Sequence, residues 1–428
     1  MVVITQRRVQ ATVEPRAETA SWLTKHLVWV YLVFHPDTCG ASQLWTALFR
    51  RLAEDGIRVT ALSGFPAKDV AVDVASLPRS ERFHGIDIDR CGLRMEGKRN
   101  LLARAIAYSS FLVHAGWKLL RLGRHATVVG GTDPPFTPIT LWLLSRIGRF
   151  DYELILTDIY PDGLVGIEKL ADSSPLTRLW RALNRWSYSD ARRITVIGRD
   201  MVTRLERQYG IDRAKVTYIP HWGTPEVDEM QATSQRPLLE QLGLQDKFVV
   251  QYSGNMGLWH DMDALVRAAY ELRDDPGIHF LFVGKGRRRH AAQQLCRELG
   301  LTNITWLDFL PPEQLAEGLS SCDAALISFR KGLEGVAVPS KLYGILASGR
   351  PIIAQVPRES EVAYTVREED CGLVVEPGDI DGLADAIRTL AADPRLVDRM
   401  GANGRCAYRS KYTINQAASA FRELWLLP

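Results

Sequence analysis

The sequence predicts an α/β protein built of two doubly wound domains that face a central cleft. Three observations lead there. Short apolar runs alternate with amphipathic ones, the alternation restarts after one polar stretch, and 428 residues exceed what a single hydrophobic core usually serves. HLVWVYLVF (His26–Phe34), rich in β-branched and aromatic residues, predicts a buried strand. SQLWTALFRRLAEDG follows, with Leu44, Leu48 and Leu52 at helical spacing and Gly56 as its stop. RVTALSG, ATVVGGT, YELILTDI, RITVIG and VTYIP are further strands, most of them separated by helical segments, which is the grammar of a mostly parallel sheet. The polar, turn-rich stretch HWGTPEVDEMQATSQRP reads as a linker. Beyond it FVVQYSG, IHFLFVG, ITWLDF, DAALISF, PIIAQV and GLVVEP repeat the pattern. The expected organisation is a disordered lead over 1–24, a first domain over 25–222 and a second over 223–411.

Composition narrows the class. Apolar content of 46%, charged content of 24% and a net charge of +3 are those of a globular enzyme and argue against a nucleic-acid partner. The six cysteines are scattered and none forms a CxxC pair, so neither a common zinc pattern nor a disulfide framework is indicated, and a reducing cytoplasm is expected. The first 24 residues lack the apolar core of a signal peptide, and no uncharged run reaches membrane-spanning length.

Three loops at strand ends of the second half could hold phosphate. In YSGNMGLWHDMDAL, the turn Gly254-Asn255-Met256-Gly257 can offer backbone N–H groups, with His260 near the following helix start. A tight strand–helix turn would need the same glycines. GKGRRRH (Gly284–His290) sets Arg287 and its neighbours where a helix begins; cations there oppose the helix dipole, which either a bound phosphate or simple solvent exposure accommodates. GLEGVAVPSKLYGILASGRPII contains Glu334, Gly335 and Val336, then a helix opening at Ser340, a favoured N-cap type, with Lys341 beside it. Convergence of the three is more specific than any one. In the first half, GGTDPPF and TDIYPDGLV place Asp133, Asp158 and Asp162 at the carboxyl edge of the sheet, as cleft groups or as turn formers. Asp87-Ile-Asp89 matches a DxD metal pattern, but it lies in a strand without other ligands, so no metal is expected.

These motifs resemble those of the family 4 glycosyltransferases, in particular their bacterial exopolysaccharide and O-antigen members; YSGNMGLWHD, VPSKLYGILASGRPII and DIYPD are the most specific parts. The resemblance implies the GT-B fold, with two Rossmann-like domains. It implies a metal-independent, retaining transfer without cofactor, the nucleotide sugar in the second domain and the acceptor in the first. A UDP-sugar donor and a polyprenyl-diphosphate-linked glycan acceptor follow, as does a last helix, about 412–428, crossing back onto the first domain. Gly40 matches the glycine that lets the first loop approach the ligands. Asn255 and His260 stand where many members carry an Arg and a Lys, so Arg287 and Lys341 are expected to meet the phosphate charge. The glutamate that holds the ribose falls on Gly344 and is absent, while the family's first motif glutamate aligns near Val336, with Glu334 close by. Lys341, Arg287 and the N–H groups around Asn255 and Gly335 would stabilise the leaving diphosphate, and Asp158 or Asp162 would orient the acceptor. A soluble acceptor, an epimerase, or a non-catalytic nucleotide-sugar-binding module is the alternative.

LLARAIAYSSFLVHAGWKLLRL (Leu101–Leu122) carries apolar residues near helical spacing (Leu101, Ala105, Tyr108, Leu112, Ala115, Leu119), together with Arg104, Trp117, Lys118 and Arg121. An interfacial helix needs this mix, and a helix packed on a sheet shows it too. The expected location is the cytoplasm, peripheral on the inner face of the cytoplasmic membrane.

Overall fold

Strand β1 (His26–Val30) is buried on both faces, as a parallel central strand requires. It is joined in the first sheet by β2 (Arg58–Ser63), β3 (Ser80–Phe83), β4 (Ile86–Arg90), β5 (Ala126–Gly130), β6 (Tyr152–Leu156), β7 (Arg193–Val196) and β8 (Val216–Tyr218). The order is β3-β4-β2-β1-β5-β6-β7-β8, parallel except for the β3–β4 pair. These assignments come from a computed structural model that describes residues 26–66, 73–94, 101–122, 126–230 and 236–426; the lead predicted over 1–24 lies outside them. β1 stops short of the predicted Phe34, because Leu32 N–H turns to the Asp133 carbonyl at 2.7 Å and the chain leaves the ladder. The antiparallel edge strand β3 was not foreseen: SERF is short, polar and half exposed, so no alternation marks it.

The second sheet is wholly parallel, with β9 (Phe248–Ser253), β10 (Ile278–Val283), β11 (Ile304–Leu307), β12 (Ala324–Ser328), β13 (Ile352–Gln355) and β14 (Gly372–Val375) in the order β11-β10-β9-β12-β13-β14. Chain order therefore reverses between β9 and β12, and in the first sheet between β1 and β5. Open α/β sheets bind ligands at such switch points, outside the carboxyl ends of the strands.

Alternation along β1 divides the first core. Val28 and Val30 pack with Phe111, Ala115 and Leu119 of the helix Leu101–Leu122. Ala107 and Phe111 are buried while Ala105 is exposed, so the packed stripe is rotated from the predicted one. Leu27 and Trp29 face the other way, toward Trp45 and Phe49 of the helix Gly40–Glu54 and Phe421 and Trp425 of the last helix, Ile414–Leu426. Each such side chain contributes roughly 1.5–3 kcal/mol by leaving water. The last helix thus lies on the first domain, with Trp425 Nε1 donating to Glu153 Oε2 at 3.0 Å.

The beginning of the stretch expected to be a polar linker, 221–230, packs in part against both domains' elements, while 231–235 lie outside the described residues. Trp222 is 1% exposed, its ring 5.3 Å from that of Trp45 and 5.8 Å from that of Phe421. Val227 and Met230 are buried as well. The start of the connection is therefore part of the core, because Trp45, Phe421 and Tyr343 close over His221 and Trp222.

Candidate active site

A cavity of about 390 Å³ opens at both switch points. Gly40 and Leu44 reach it from the helix after β1, and Ser253, Gly254, Asn255 and His260 from the loop after β9. Pro339, Ser340, Lys341, Gly344 and Ile345 reach it from the segment after β12, and Trp222, Gly223, Thr224 and Val227 from the connection. Phe309, Leu315 and Leu319 complete the wall. A Cβ at Gly40 would meet nothing within 4 Å, so no packing demands a glycine there.

Lys341 dominates the electrostatics. Its ammonium nitrogen is sealed from solvent and has no hydrogen-bond partner. It sits 3.6 Å above the Tyr252 ring, whose negative face offers partial compensation. Tyr252 is held in place by its hydroxyl, which donates to the Asn255 carbonyl at 2.8 Å. Burial pushes the lysine down to about 7. Such a group either gives up its proton or meets an incoming anion, and an anion in the cavity would hold it as the ammonium. His260 differs: its Nδ1 lies 2.7 Å from the Ser328 carbonyl. A carbonyl only accepts, so Nδ1 carries the proton and Nε2 is left as an acceptor. Burial, then the Lys341 charge, depress His260 to about 3, so it stays neutral at physiological pH. The site thus pairs one anion-seeking group with one neutral acceptor suited to a sugar hydroxyl.

The glycine turn after β9 serves packing as much as binding. Gly254 N–H donates to the Val283 carbonyl at 2.9 Å and Met256 N–H to the Lys285 carbonyl at 2.8 Å, so half of the expected donors are engaged. Gly284, at φ +132°, must be glycine because a Cβ would stand 2.1 Å from the Gly254 carbonyl oxygen. Ser340 is already helical (φ −62°, ψ −20°) and its hydroxyl caps nothing. The Leu342 and Tyr343 N–H groups turn back to the Pro339 and Ser340 carbonyls. Positive potential therefore comes chiefly from Lys341 and not from the helix end.

The loop before Lys341 overturns the third expected phosphate cradle. Gly335 N–H donates to Asp200 Oδ2 at 2.8 Å, and a Cβ on Gly335 (φ +66°) would come within 2.5 Å of the Asp200 carbonyl oxygen. Arg204 Nε donates to the Glu334 carbonyl at 2.7 Å, and Ile159 N–H to the Val336 carbonyl at 2.8 Å. Asp158 forms an antiparallel bridge with Ala337. Glu334, Gly335 and Val336 do not line the cavity; they strap the second domain to the first. Farther out, Glu361 is 1% exposed and accepts from Arg199 N–H (2.7 Å), Arg199 Nε (3.0 Å) and the Tyr218 hydroxyl (2.8 Å). Sequence inspection missed Asp200, Arg199 and Glu361, since nothing local marks a pairing partner more than a hundred residues away.

Two other expectations, Arg287 and Asp162, resolve differently. Arg287 is exposed and outside the cavity wall, while its neighbours are tethered, Arg288 to Asp263 at 3.1 Å and Arg289 to Asp308. Asp162 is 1% exposed and bound by Arg181 Nε at 2.8 Å and the Tyr209 hydroxyl at 2.7 Å, which makes it a core ion pair and not an acceptor group. Asp158 also lies outside the cavity wall, half-buried at the domain junction; burial, then the Asp133 charge, raise its carboxyl to about 7. Asp87 and Asp89 of the DxD match lie in ion pairs, Asp89 with Lys118 at 2.7 Å.

Comparison with known proteins places this geometry. The model "Glycosyl transferase 4-like domain" matches residues 40–222 and "Glycosyl transferases group 1" matches 235–406. The chain is 29% identical over 298 residues to the probable glycosyltransferase WbjE of Pseudomonas aeruginosa, covering 68% of this chain and 72% of that one. It is 22% identical over 374 residues to the putative colanic acid biosynthesis glycosyl transferase WcaI of Escherichia coli, covering 85% and 91%. Anabaena HepE, solved in complex with UDP, superposes with a TM-score of 0.68 at 15% identity, covering 94% of this chain and 99% of that one. With two switch-point loops, a cleft cavity and family models over both halves, the chain belongs to the GT-B glycosyltransferases and is a hexosyltransferase-type enzyme.

Proposed function

We propose that the enzyme moves a sugar from a nucleoside-diphosphate sugar, a UDP-sugar in the first instance, to a polyprenyl-diphosphate-linked glycan in polysaccharide assembly, with retention at the anomeric carbon. The observation that carries the donor assignment is the unpartnered Lys341 ammonium in the cleft cavity. The UDP bound by HepE and the colanic acid pathway named for WcaI favour this donor and this setting. As the bond from the anomeric carbon to the diphosphate oxygen lengthens, negative charge gathers on the diphosphate, and Lys341 answers it from the cavity wall. The acceptor oxygen bonds to the same face, and its proton passes to the departing diphosphate oxygen. Among the described residues the cavity wall contains no Asp or Glu, which suits a route without an enzyme nucleophile. The apolar part of the wall, Leu315, Leu319, Ile345 and Val227, suits the nucleoside, and the Thr224 hydroxyl, buried without a partner, is available to the ribose. Asp158 orients the acceptor hydroxyl.

A panel of nucleotide sugars tested by thermal shift is expected to show stabilisation by UDP-sugars; a ligand at a hundred times its Kd stabilises by about 2.7 kcal/mol. No shift with any nucleotide sugar would refute the donor assignment. Activity is expected to survive EDTA, because a side-chain cation takes the part of a metal ion; loss on chelation with recovery on adding manganese would refute it. The pH profile of kcat/KM is expected to be bell-shaped. Its acid limb belongs to Asp158, needed as the carboxylate, and its alkaline limb to Lys341, needed as the ammonium, both near pH 7 in the free enzyme. D158N should remove the acid limb alone; an unchanged profile would take Asp158 out of the reaction.

A further inference from the structure

No described helix is long and apolar enough to cross a membrane, yet one face of the first domain is built for apolar contact. The helices Leu101–Leu122, Thr137–Gly148 and Pro175–Asp190 lie side by side on it. Eleven of the thirteen large apolar side chains exposed among the described residues lie on these helices or at Phe136, which immediately precedes the second. Val113 is 74% exposed, Ile147 72% and Leu102 70%, each clear of the sheet beneath. Trp117 and Trp186 stand half exposed beside them. Scattered apolar residues on a surface are ordinary; this concentration on one layer is not.

Charge selects the occupant. The three helices carry seven Arg and Lys, of which Lys118, Arg146 and Arg181 are met by Asp89, by Asp190 and by Asp162 with Asp172. Arg121, Arg178 and Arg185 are exposed and meet no carboxylate among the described residues. Arg121 lies 3.4 Å over the Trp117 ring, an amphipathic pair suited to the boundary between head groups and acyl chains. A second copy of the chain would bring the same positive charge against itself, whereas an anionic bilayer complements it. The face also leads to the reaction edge. Phe136 stacks on Trp180 at 4.5 Å, and Trp180 on Tyr160 at 6.3 Å, two residues beyond Asp158.

We infer that this three-helix face docks the enzyme on an anionic bilayer, with its aromatic edge guiding a lipid-carried acceptor toward Asp158. The inference deepens the transferase assignment above and rests on it for the acceptor; the docking itself is measured without activity. The full chain is floated with vesicles of phosphatidylcholine alone or with 30% phosphatidylglycerol. Binding to the anionic vesicles is expected, weakened at 0.5 M salt because exposed charges are screened. V113D/I147D, both at exposed positions, should lower vesicle affinity at least tenfold and leave Tm and nucleotide-sugar stabilisation unchanged. Absence of flotation with donor stabilisation intact would overturn the docking and spare the transferase assignment. Flotation without donor stabilisation would do the reverse. A dimer in light scattering that V113D/I147D dissociates, without vesicle binding by the parent chain, would assign the face to a second copy and overturn the proposal.

Discussion

K341A is expected to lower turnover at saturating donor by roughly two orders of magnitude or more, the usual consequence of removing one group that stabilises a leaving anion. The lysine is the charged group sealed within the cavity wall, so no neighbour can replace it. K341M separates function from structure. It fills the same space without a buried amine and is expected to abolish transfer while raising Tm by ~2 °C or more. The sign follows from linkage. The folded lysine titrates near 7, below its ordinary value of 10.5, so the native state binds fewer protons than the unfolded chain between those values. Stability from this group therefore rises with pH from about 7 to about 10.5 and is flat below 7. K341M should lose that slope. Donor binding runs the other way, since the diphosphate restores the lysine's proton and affinity weakens as pH rises above 7. Near wild-type turnover in K341A at saturating donor would remove this residue from the chemistry.

E361A is expected to destabilise the enzyme by about 1–3 kcal/mol, the range for leaving buried hydrogen-bond donors unsatisfied, since Arg199 is a third exposed and keeps Glu368. Glu361 collects the Arg199 guanidinium and N–H, the Tyr218 hydroxyl and, at 3.3 Å, the Thr365 hydroxyl, and three of these four donors belong to the first domain. Its loss leaves Arg199 with Glu368, a half-exposed partner. Since Glu361 lies outside the cavity wall, the intrinsic chemistry should persist while donor affinity falls with the loosened domain junction. Urea denaturation and a nucleotide titration measure the two effects. A loss below ~1 kcal/mol would make the pair a surface contact in energetic terms.

The sequence by itself determined the layers of this protein. Apolar runs in β1, β9, β10 and β12 mark buried parallel strands, since a strand covered on both faces must be apolar throughout. The helix Leu101–Leu122 was legible in the sequence, because leucine and alanine recur there with no proline and a single glycine, Gly116. Gly40, Gly254, Asn255, His260, Ser340 and Lys341 were also within reach, as they follow strands whose carboxyl ends form the cleft. What those groups do was decided only in three dimensions. Gly335 looks like a phosphate-loop glycine until Asp200, 135 positions earlier, takes its N–H. Asp162 looks like a cleft carboxylate until Arg181 and Tyr209 close over it, whereas Asp158, four residues before it, stays at the junction. Lys341 gains its significance from the absence of a partner, which depends on every neighbouring chain segment at once. Local pattern governs which side chains must leave water; burial and long-range hydrogen bonding govern which polar groups remain for a ligand.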